Sequence, residues 1–260
     1  MRRMIVIAAV ALTAGCGGGS EPAANVVEIQ SDEYAFVMPK RVEGGWTTMQ
    51  LTNTGGEPHE FALVRLEDGK TLDDVEQLLS DPAAQEREPP SWAKIRAGLP
   101  TVGPGETAAL TEELEPGRYA LICFLDGPNG RPHFMDGMIS ELEVAGVAGA
   151  GAPKADATLE LGKGLTAPRL EAGARTLELR NDAGEASGVF MVSYAPGKTA
   201  KDLNAWMESG MKGQAPGGLH GGAIDVPPHS IVYLTYTFET GVEYALFDDV
   251  NQIEKRFSVE

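Results

Sequence analysis

The sequence predicts an all-β protein made of two tandem β-sandwiches, each with one short helix. Three observations lead to this fold class. Short segments rich in β-branched and aromatic residues recur along the chain, separated by clusters of Gly, Pro, Asn and Asp. Several segments alternate apolar and polar residues, which is the period of a half-buried antiparallel sheet. The second half of the chain also repeats the pattern of the first, which indicates one duplicated unit.

Each half contains a similar series of predicted elements. In the first half the predicted strands are 26–30, 47–53, 60–66, 107–114, 118–124 and 139–144, with a helix at 71–80. In the second half they are 157–161, 175–181, 188–194, 230–237, 243–247 and 255–259, with a helix at 199–209. Thr71 is a suitable N-cap for the first helix, because Asp73 and Asp74 follow it in the first turn. Many short strands with one helix aside are typical of a β-sandwich.

The internal repeat is visible at a constant offset of 128 residues. Glu57 meets Glu185 in this alignment, and Gly-Lys-Thr at 69–71 meets the same tripeptide at 197–199. Identities of this kind, with turn residues in step, predict two copies of one ancestral unit.

Composition divides the chain into five parts. The two predicted domains are 26–146 and 155–260, and the small-residue stretch 147–154 between them lacks periodicity, as a linker does. Residues 1–15 have the basic start and short apolar run of an export signal, too short to anchor stably in a bilayer. Residues 16–25 include a Gly-Gly-Gly-Ser run and are predicted to be a flexible tether.

The end of the signal is similar to a bacterial lipoprotein signal, Leu-Thr-Ala-Gly followed by Cys16. That resemblance implies lipidation at Cys16, which would anchor an extracytoplasmic protein to the bacterial membrane. Ordinary cleavage after Ala14 or Gly15 is the alternative. The formal net charge of −17 argues against nucleic acid and against an anionic lipid surface as partners.

Cys123, the second cysteine, has no disulfide partner in the exported part of the chain, although export would place it in an oxidising compartment. Burial as a small apolar residue is one explanation, and metal ligation is the other. His59, His133 and Met138 complete a set of two imidazoles, one thiolate and one thioether, which is the ligand set of a mononuclear blue-copper centre. The sequence therefore predicts one copper ion per chain, in the first domain. Met135 is an alternative to Met138.

The segments around these residues resemble those of cupredoxins, the plastocyanin-like and azurin-like blue copper proteins. An Asn-x-Gly-x-x-Pro-His motif ends at His59, and a Tyr-Ala-Leu-Ile-Cys segment ends at Cys123. A His-x-x-x-Gly-Met motif follows, from His133 to Met138. The resemblance implies a Greek-key sandwich for each domain, three strong equatorial ligands and Met138 as a weak axial one. Nine residues separate the cysteine from the second histidine, more than is usual in the family. This insert either bulges outward or holds the ligands apart.

The second domain has lost the ligands. Ser187 aligns with the first histidine and Asp248 with the cysteine, and nothing matches the His-x-x-x-Gly-Met end. We expect this cupredoxin-like repeat to keep the scaffold without metal and to have a structural or partner-docking role.

These predictions favour a membrane-tethered type 1 copper protein that carries single electrons to or from a redox partner protein. One alternative is a non-redox copper-binding protein that exchanges the ion with a donor or acceptor, and another is a cupredoxin-fold interaction module with an empty site. Two linked cupredoxin-like domains also resemble the smaller multicopper oxidases and copper nitrite reductases, but those enzymes need additional histidines. The chain has four in all. We therefore expect no enzymatic activity.

Overall fold

The computed structural model describes residues 24–81, 83, 87–146, 151–161, 164–248 and 253–260. Strands dominate, and the described part contains two short α-helices, so the predicted all-β class is confirmed. The predicted signal and the lipidation site Cys16 lie outside the described residues, as do residues 147–150 of the predicted linker. Within the described residues, no helix has the length and apolar character needed to cross a membrane.

The elements in chain order begin with the first half of the chain. Its strands are β1 (Asn25–Asp32), β2 (Ala35–Val37), β3 (Arg41–Glu43), β4 (Gly45–Asn53), β5 (His59–Leu66), β6 (Ala93–Val102), β7 (Thr107–Leu114), β8 (Gly117–Ile122) and β9 (Ile139–Ala145). The second half contributes β10 (Ala157–Leu161), β11 (Gly173–Asn181), β12 (Ser187–Tyr194), β13 (Gly217–Val226), β14 (Ser230–Phe238), β15 (Glu243–Asp248) and β16 (Ile253–Ser258). The helices are α1 (Leu72–Leu79) and α2 (Ala200–Glu208).

Both predicted helices form where their N-caps indicate. The backbone N–H and the hydroxyl of Thr71 both donate to the carboxylate of Asp74, at 3.0 and 3.1 Å. Thr199 and Asp202 repeat this arrangement at the start of α2, at 3.0 and 2.8 Å. Each acidic side chain also lies at the positive end of its helix dipole.

Two sheets run through both halves of the molecule. The seven-stranded sheet has the order β10-β11-β14-β7-β4-β1-β2, and the nine-stranded sheet has the order β16-β15-β12-β13-β6-β5-β8-β9-β3. The halves meet where β7 pairs with β14 and β6 pairs with β13, both antiparallel. We call this line of pairing the seam. The strand order is similar on its two sides, while the duplication itself and the domain boundaries stay predictions.

One hydrophobic core lies between the sheets and draws residues from both halves. Leu110 of β7 and Leu234 of β14 are paired across the seam, and both are fully buried. Strand β4 alternates buried and half-buried residues along its whole length, which is the pattern of one face against the core. The core therefore continues across the seam.

Three neighbouring strands of the nine-stranded sheet bring the candidate ligands together at one of their ends. Strand β5 begins at His59, and the antiparallel β8 ends one residue before Cys123. Strand β9 begins one residue after Met138 and pairs with β8. Antiparallel neighbours place a beginning beside an end, so these residues meet although they are distant in sequence.

Candidate metal centre

His59, Cys123 and His133 converge on one buried point. The Nδ1 atom of His59 lies 3.3 Å from Nδ1 of His133, and Sγ of Cys123 lies 3.4 Å from that same nitrogen. The three candidate donor atoms lie within 4.8 Å of one another. The exposed fractions are 0%, 0% and 1%. Three of the four predicted ligands thus form a compact donor set.

The spacing and the donor chemistry fit a single transition-metal ion. Nitrogen ligands at about 2.0 Å and a sulfur ligand at about 2.3 Å, with near-tetrahedral angles, lie roughly 3.3–3.6 Å apart. The two contacts at 3.3 and 3.4 Å agree with this. One thiolate with two imidazoles favours copper or zinc over magnesium or calcium, and a trigonal set with a distant thioether favours copper.

The insert between the cysteine and the second histidine folds outward as a small hairpin. Gly127 N–H donates to the carbonyl of Arg131 at 2.8 Å, and Gly130 N–H donates to the carbonyl of Gly127 at 2.9 Å. At the base, His133 N–H donates to the carbonyl of Leu125 at 2.8 Å. The longer loop therefore returns His133 to the site. The insert bulges outward and does not hold the candidate ligands apart.

The two methionines of the loop have different environments. Residues 133–136 form a 3-10 turn that ends at Gly137. Beyond it, Met138 N–H donates to the carbonyl of His133 at 3.0 Å, and its own carbonyl accepts from Cys123 N–H at 3.2 Å. Met138 is fully buried, whereas Met135 is 44% exposed. The backbone of Met138 is thus bonded to two candidate ligands while Met135 faces solvent, and the axial role of Met138 stays a prediction.

Burial sets the charge of the three donors in the metal-free protein. Burial, together with the nearby His133, lowers the pKa of His59 to about 4. Burial also lowers the pKa of His133, against the pull of Glu57. Burial raises the pKa of the Cys123 thiol to about 12, and the neighbouring Glu60 adds to this. All three donors are consequently neutral near pH 7, and a bound cation has to displace the thiol proton.

A second layer of side chains surrounds the two imidazoles, and the sequence did not reveal it. Oε2 of Glu57 lies 3.2 Å from Nε2 of His133, and Oε1 of Glu33 lies 3.9 Å from Nε2 of His59. The ring of Tyr34 packs against the His133 ring with centroids 4.7 Å apart, and its hydroxyl donates to Glu57 at 3.3 Å.

The carboxylate of Glu33 also organises the loop before the first histidine. It accepts the backbone N–H of Gly56 and that of Glu57. Burial by itself would raise the pKa of Glu33, but hydrogen bonds with the Asp32 side chain and with these backbone groups lower it to about 2. Glu33 is therefore an anion at neutral pH.

The described residues of the second half offer no comparable donor set. Ser187, at the position of the first histidine, is buried, and so is Asp248 at the position of the cysteine. Within the described ranges, no other group of three His, Cys, Asp or Glu side chains has ligand spacing. His220 bonds instead to Ser193 at 2.8 Å and to Tyr236 at 2.8 Å.

No family model matches this chain, and no curated protein matches it. Among solved structures, reduced auracyanin from Roseiflexus castenholzii is 24% identical, with a TM-score of 0.33 over 47% of this chain and 98% of its own. Auracyanin A from Chloroflexus aurantiacus, described as a "blue" copper protein, is 24% identical, with a TM-score of 0.32 over 47% of this chain and 100% of its own. An azurin from Methylomonas sp. strain J is 15% identical, with a TM-score of 0.31 over 47% and 99%.

These neighbours are cupredoxins, the class that the sequence resembles. At such TM-scores the similarity supports no inference about function. The proposals below therefore depend on the geometry of the site.

Proposed function

We propose that this protein is a type 1 copper protein that carries single electrons, with one copper ion held by His59, Cys123, His133 and Met138. The observation that carries the proposal is the buried triangle of two imidazole nitrogens and one sulfur, spaced for a single ion. We further propose that a lipid on Cys16 tethers the protein to the outer side of the bacterial membrane. Its partner would be a redox protein with a basic or neutral surface, because this chain carries a formal charge of −17.

The chemistry of the donor set supports electron transfer. Copper held by one thiolate and two imidazoles is stable in two oxidation states, and a weak thioether tunes its potential. The ligands lie at strand ends and in a loop closed by backbone hydrogen bonds, which restricts their movement. A rigid site needs little rearrangement when the charge of the ion changes.

Burial of the donors argues against substrate turnover. His59, Cys123 and His133 are at most 1% exposed, and the fourth predicted ligand is fully buried. Catalytic metal sites keep one position open for water or substrate. The same burial disfavours rapid copper exchange, so the carrier is favoured over a delivery protein.

Copper loading of the whole chain tests the proposal. One Cu(II) per chain should give intense charge-transfer absorption in the visible range and the electron spin resonance spectrum of a thiolate-bound ion. The Cys123→Ser variant should lose the colour, because the hydroxyl replaces the only thiolate of the site. Colourless, easily chelated copper in the wild type would support delivery instead, and no stoichiometric binding would support an interaction module. Mass spectrometry of the mature protein checks the lipid on Cys16.

A further inference from the structure

Each imidazole of the metal centre has a carboxylate behind it, on the side away from the donor atoms. The Nε2 atoms of His59 and His133 are buried and have no aligned hydrogen-bond partner. The Glu57 carboxylate lies 3.2 Å from Nε2 of His133, and the Glu33 carboxylate lies 3.9 Å from Nε2 of His59. These side chains are 25% and 31% exposed, so water screens them only in part.

The spacing of the two rings constrains their protons. Two Nδ1–H groups cannot face each other at 3.3 Å, because both hydrogens would occupy the same gap. At least one neutral ring therefore carries its proton on Nε2. A carboxylate beside Nε2 stabilises that tautomer, because it attracts the N–H and repels a lone pair.

The fold restrains Glu57 at its carboxylate and at its backbone. The Tyr34 hydroxyl donates to it at 3.3 Å, and the Tyr34 ring packs on His133. The backbone carbonyl of Glu57 accepts from the side-chain amide of Asn53 at 2.8 Å, and its N–H donates to Glu33 at 2.9 Å. The bond to Tyr34 and the bond between Glu57 and Glu33 are therefore what keep this carboxylate beside the His133 ring.

We propose that Glu57 is a positioning residue that fixes the proton of His133 on Nε2, turns the Nδ1 lone pair toward the metal and lowers the reduction potential of the centre. Glu33 has the same relation to His59 at a longer distance and acts more weakly. The potential falls because a negative charge close to the ligand stabilises the more highly charged Cu(II) state over Cu(I). This inference rests on the proposed copper function.

The first experiment compares the midpoint potentials of the copper-loaded wild type, Glu57→Gln and Glu185→Gln. Glu185 occupies the position equivalent to Glu57 in the repeat, and its carbonyl receives the equivalent Asn181 amide bond at 2.9 Å. Its side chain is exposed, and it precedes β12, which lies three strands away from β5 in the sheet. Both substitutions remove one charge from the chain. We expect Glu57→Gln to shift the Cu(II)/Cu(I) equilibrium tenfold toward Cu(I), a rise of about 59 mV, and Glu185→Gln to leave it unchanged. Equal potentials in the two variants would overturn the role in tuning.

The second experiment starts from the metal-free protein and then measures copper binding. Nitrogen-15 NMR of the metal-free wild type should show His133 with its proton on Nε2. In Glu57→Leu the Nδ1–H form should become populated, and copper affinity should fall about 10- to 100-fold, as for lost outer partners of metal-bound histidines. Circular dichroism checks that the variant is folded. An unchanged tautomer and unchanged affinity in a folded variant refute the positioning role, whereas failure of the wild type to bind copper refutes the proposed function.

Discussion

At the scale of single residues, the identity of the axial ligand is the sharpest question. Met138 is fully buried and its backbone bonds to two other candidate ligands, whereas Met135 is 44% exposed. We expect Met138→Leu to raise the midpoint potential by at least 59 mV, a tenfold change in the redox equilibrium, because it removes a sulfur donor and leaves an apolar group. Met135→Leu should leave the potential unchanged.

Both substitutions conserve volume, so each should cost less than about 1.5 kcal/mol of stability. Voltammetry of the two copper-loaded variants gives the answer directly. A shift in Met135→Leu together with none in Met138→Leu would reverse the assignment.

Residue chemistry explains why the sequence indicates the candidate ligands but not the side chains around them. Cysteine and histidine are rare in this chain, with two and four residues, so their positions indicate where a metal site could lie. The position of a glutamate carries little information about a site, because the chain has 38 acidic residues. Glu57 stands two places before His59 and its position was a usable signal. Glu33 and Tyr34 come from the turn between β1 and β2, which only the folded chain brings to the site.

At the scale of elements, the loop that carries the second histidine depends on one backbone conformation. Gly137 has φ of +110°, which L side chains rarely adopt, and it lies between His133 and Met138. A Cβ there would make only an ordinary contact, 3.7 Å from the carbonyl oxygen of Tyr34. The cost of Gly137→Ala is therefore conformational, about 1–3 kcal/mol. The loop should relieve it by moving the ligands, which weakens copper binding and the visible absorption.

Gly69→Ala is the matched control, because Gly69 has φ of +72° and a Cβ there would meet nothing within 4 Å. We expect this control to lose stability without changing the spectrum. Copper titration and urea unfolding of both variants separate the two effects. Identical spectra in both variants would show that the loop tolerates the change without moving its ligands.

Half-buried Arg96 on β6 and buried Glu112 on β7 form an ion pair that joins the two sheets, with 3.0 Å between them. Burial raises the pKa of Glu112 to about 7 from 4.5, although Arg96 acts in the opposite direction. A carboxyl whose pKa is higher in the folded state gives stability that is complete below pH 4.5 and is lost as the pH rises through about 7. This loss amounts to about 3 kcal/mol.

Glu112→Gln removes that dependence, because the amide does not titrate and still accepts from Arg96. The free energy of unfolding of the variant minus that of the wild type should therefore rise by about 3 kcal/mol between pH 4.5 and pH 8. Urea unfolding of the metal-free proteins at several pH values measures the difference. Glu60, whose pKa burial also raises to about 7, is common to both proteins and cancels from the comparison. Parallel stability curves for the two proteins would contradict this prediction.

The two long strands that the sequence does not predict share one physical feature. The long strands β6 and β13 were not predicted, and both contain glycines at sites of close backbone approach. A Cβ on Gly98 would lie 2.6 Å from the carbonyl oxygen of Phe61, and one on Gly222 would lie 2.0 Å from that of Val189. Register shifts occur in the β5–β6 and β12–β13 pairs at these places. Glycine is typical of such bulges, but it lowers the strand signal in the sequence.

At the scale of the whole molecule, β6 and β13 form one of the two strand pairs of the seam, and β7 and β14 form the other. The sequence predicts two tandem sandwiches and includes β7 and β14 among their strands, but not β6 and β13. The continuity of both sheets follows from β6 pairing with β13 and β7 with β14. Across the seam Trp46 contacts Tyr233 edge to face, with ring centroids 5.3 Å apart. Local periodicity predicts strands, but it says nothing about which edge of one unit pairs with which edge of another.

A shared core and shared sheets predict that the two halves unfold together. Leu246 in β15 is fully buried in the second half and pairs with Met191 and Lys255, on strands away from the seam. Leu246→Ala should cost about 2–5 kcal/mol through the cavity it leaves. If the molecule is one cooperative unit, the copper colour in the first half disappears at a urea concentration lowered by roughly 1 M.

Leu142→Ala in β9 of the first half is the control, because Leu142 is as buried as Leu246. It should lower the urea concentration at which the colour disappears whether or not the two halves unfold together. Absorbance at the copper band and far-ultraviolet circular dichroism should give the same midpoint for each protein, as a two-state transition requires. Independent halves would behave differently: the colour of Leu246→Ala would persist to the wild-type midpoint while part of the dichroism was lost earlier. The seam would then be an interface between two separately stable domains, and the second half could not stabilise the copper site of the first.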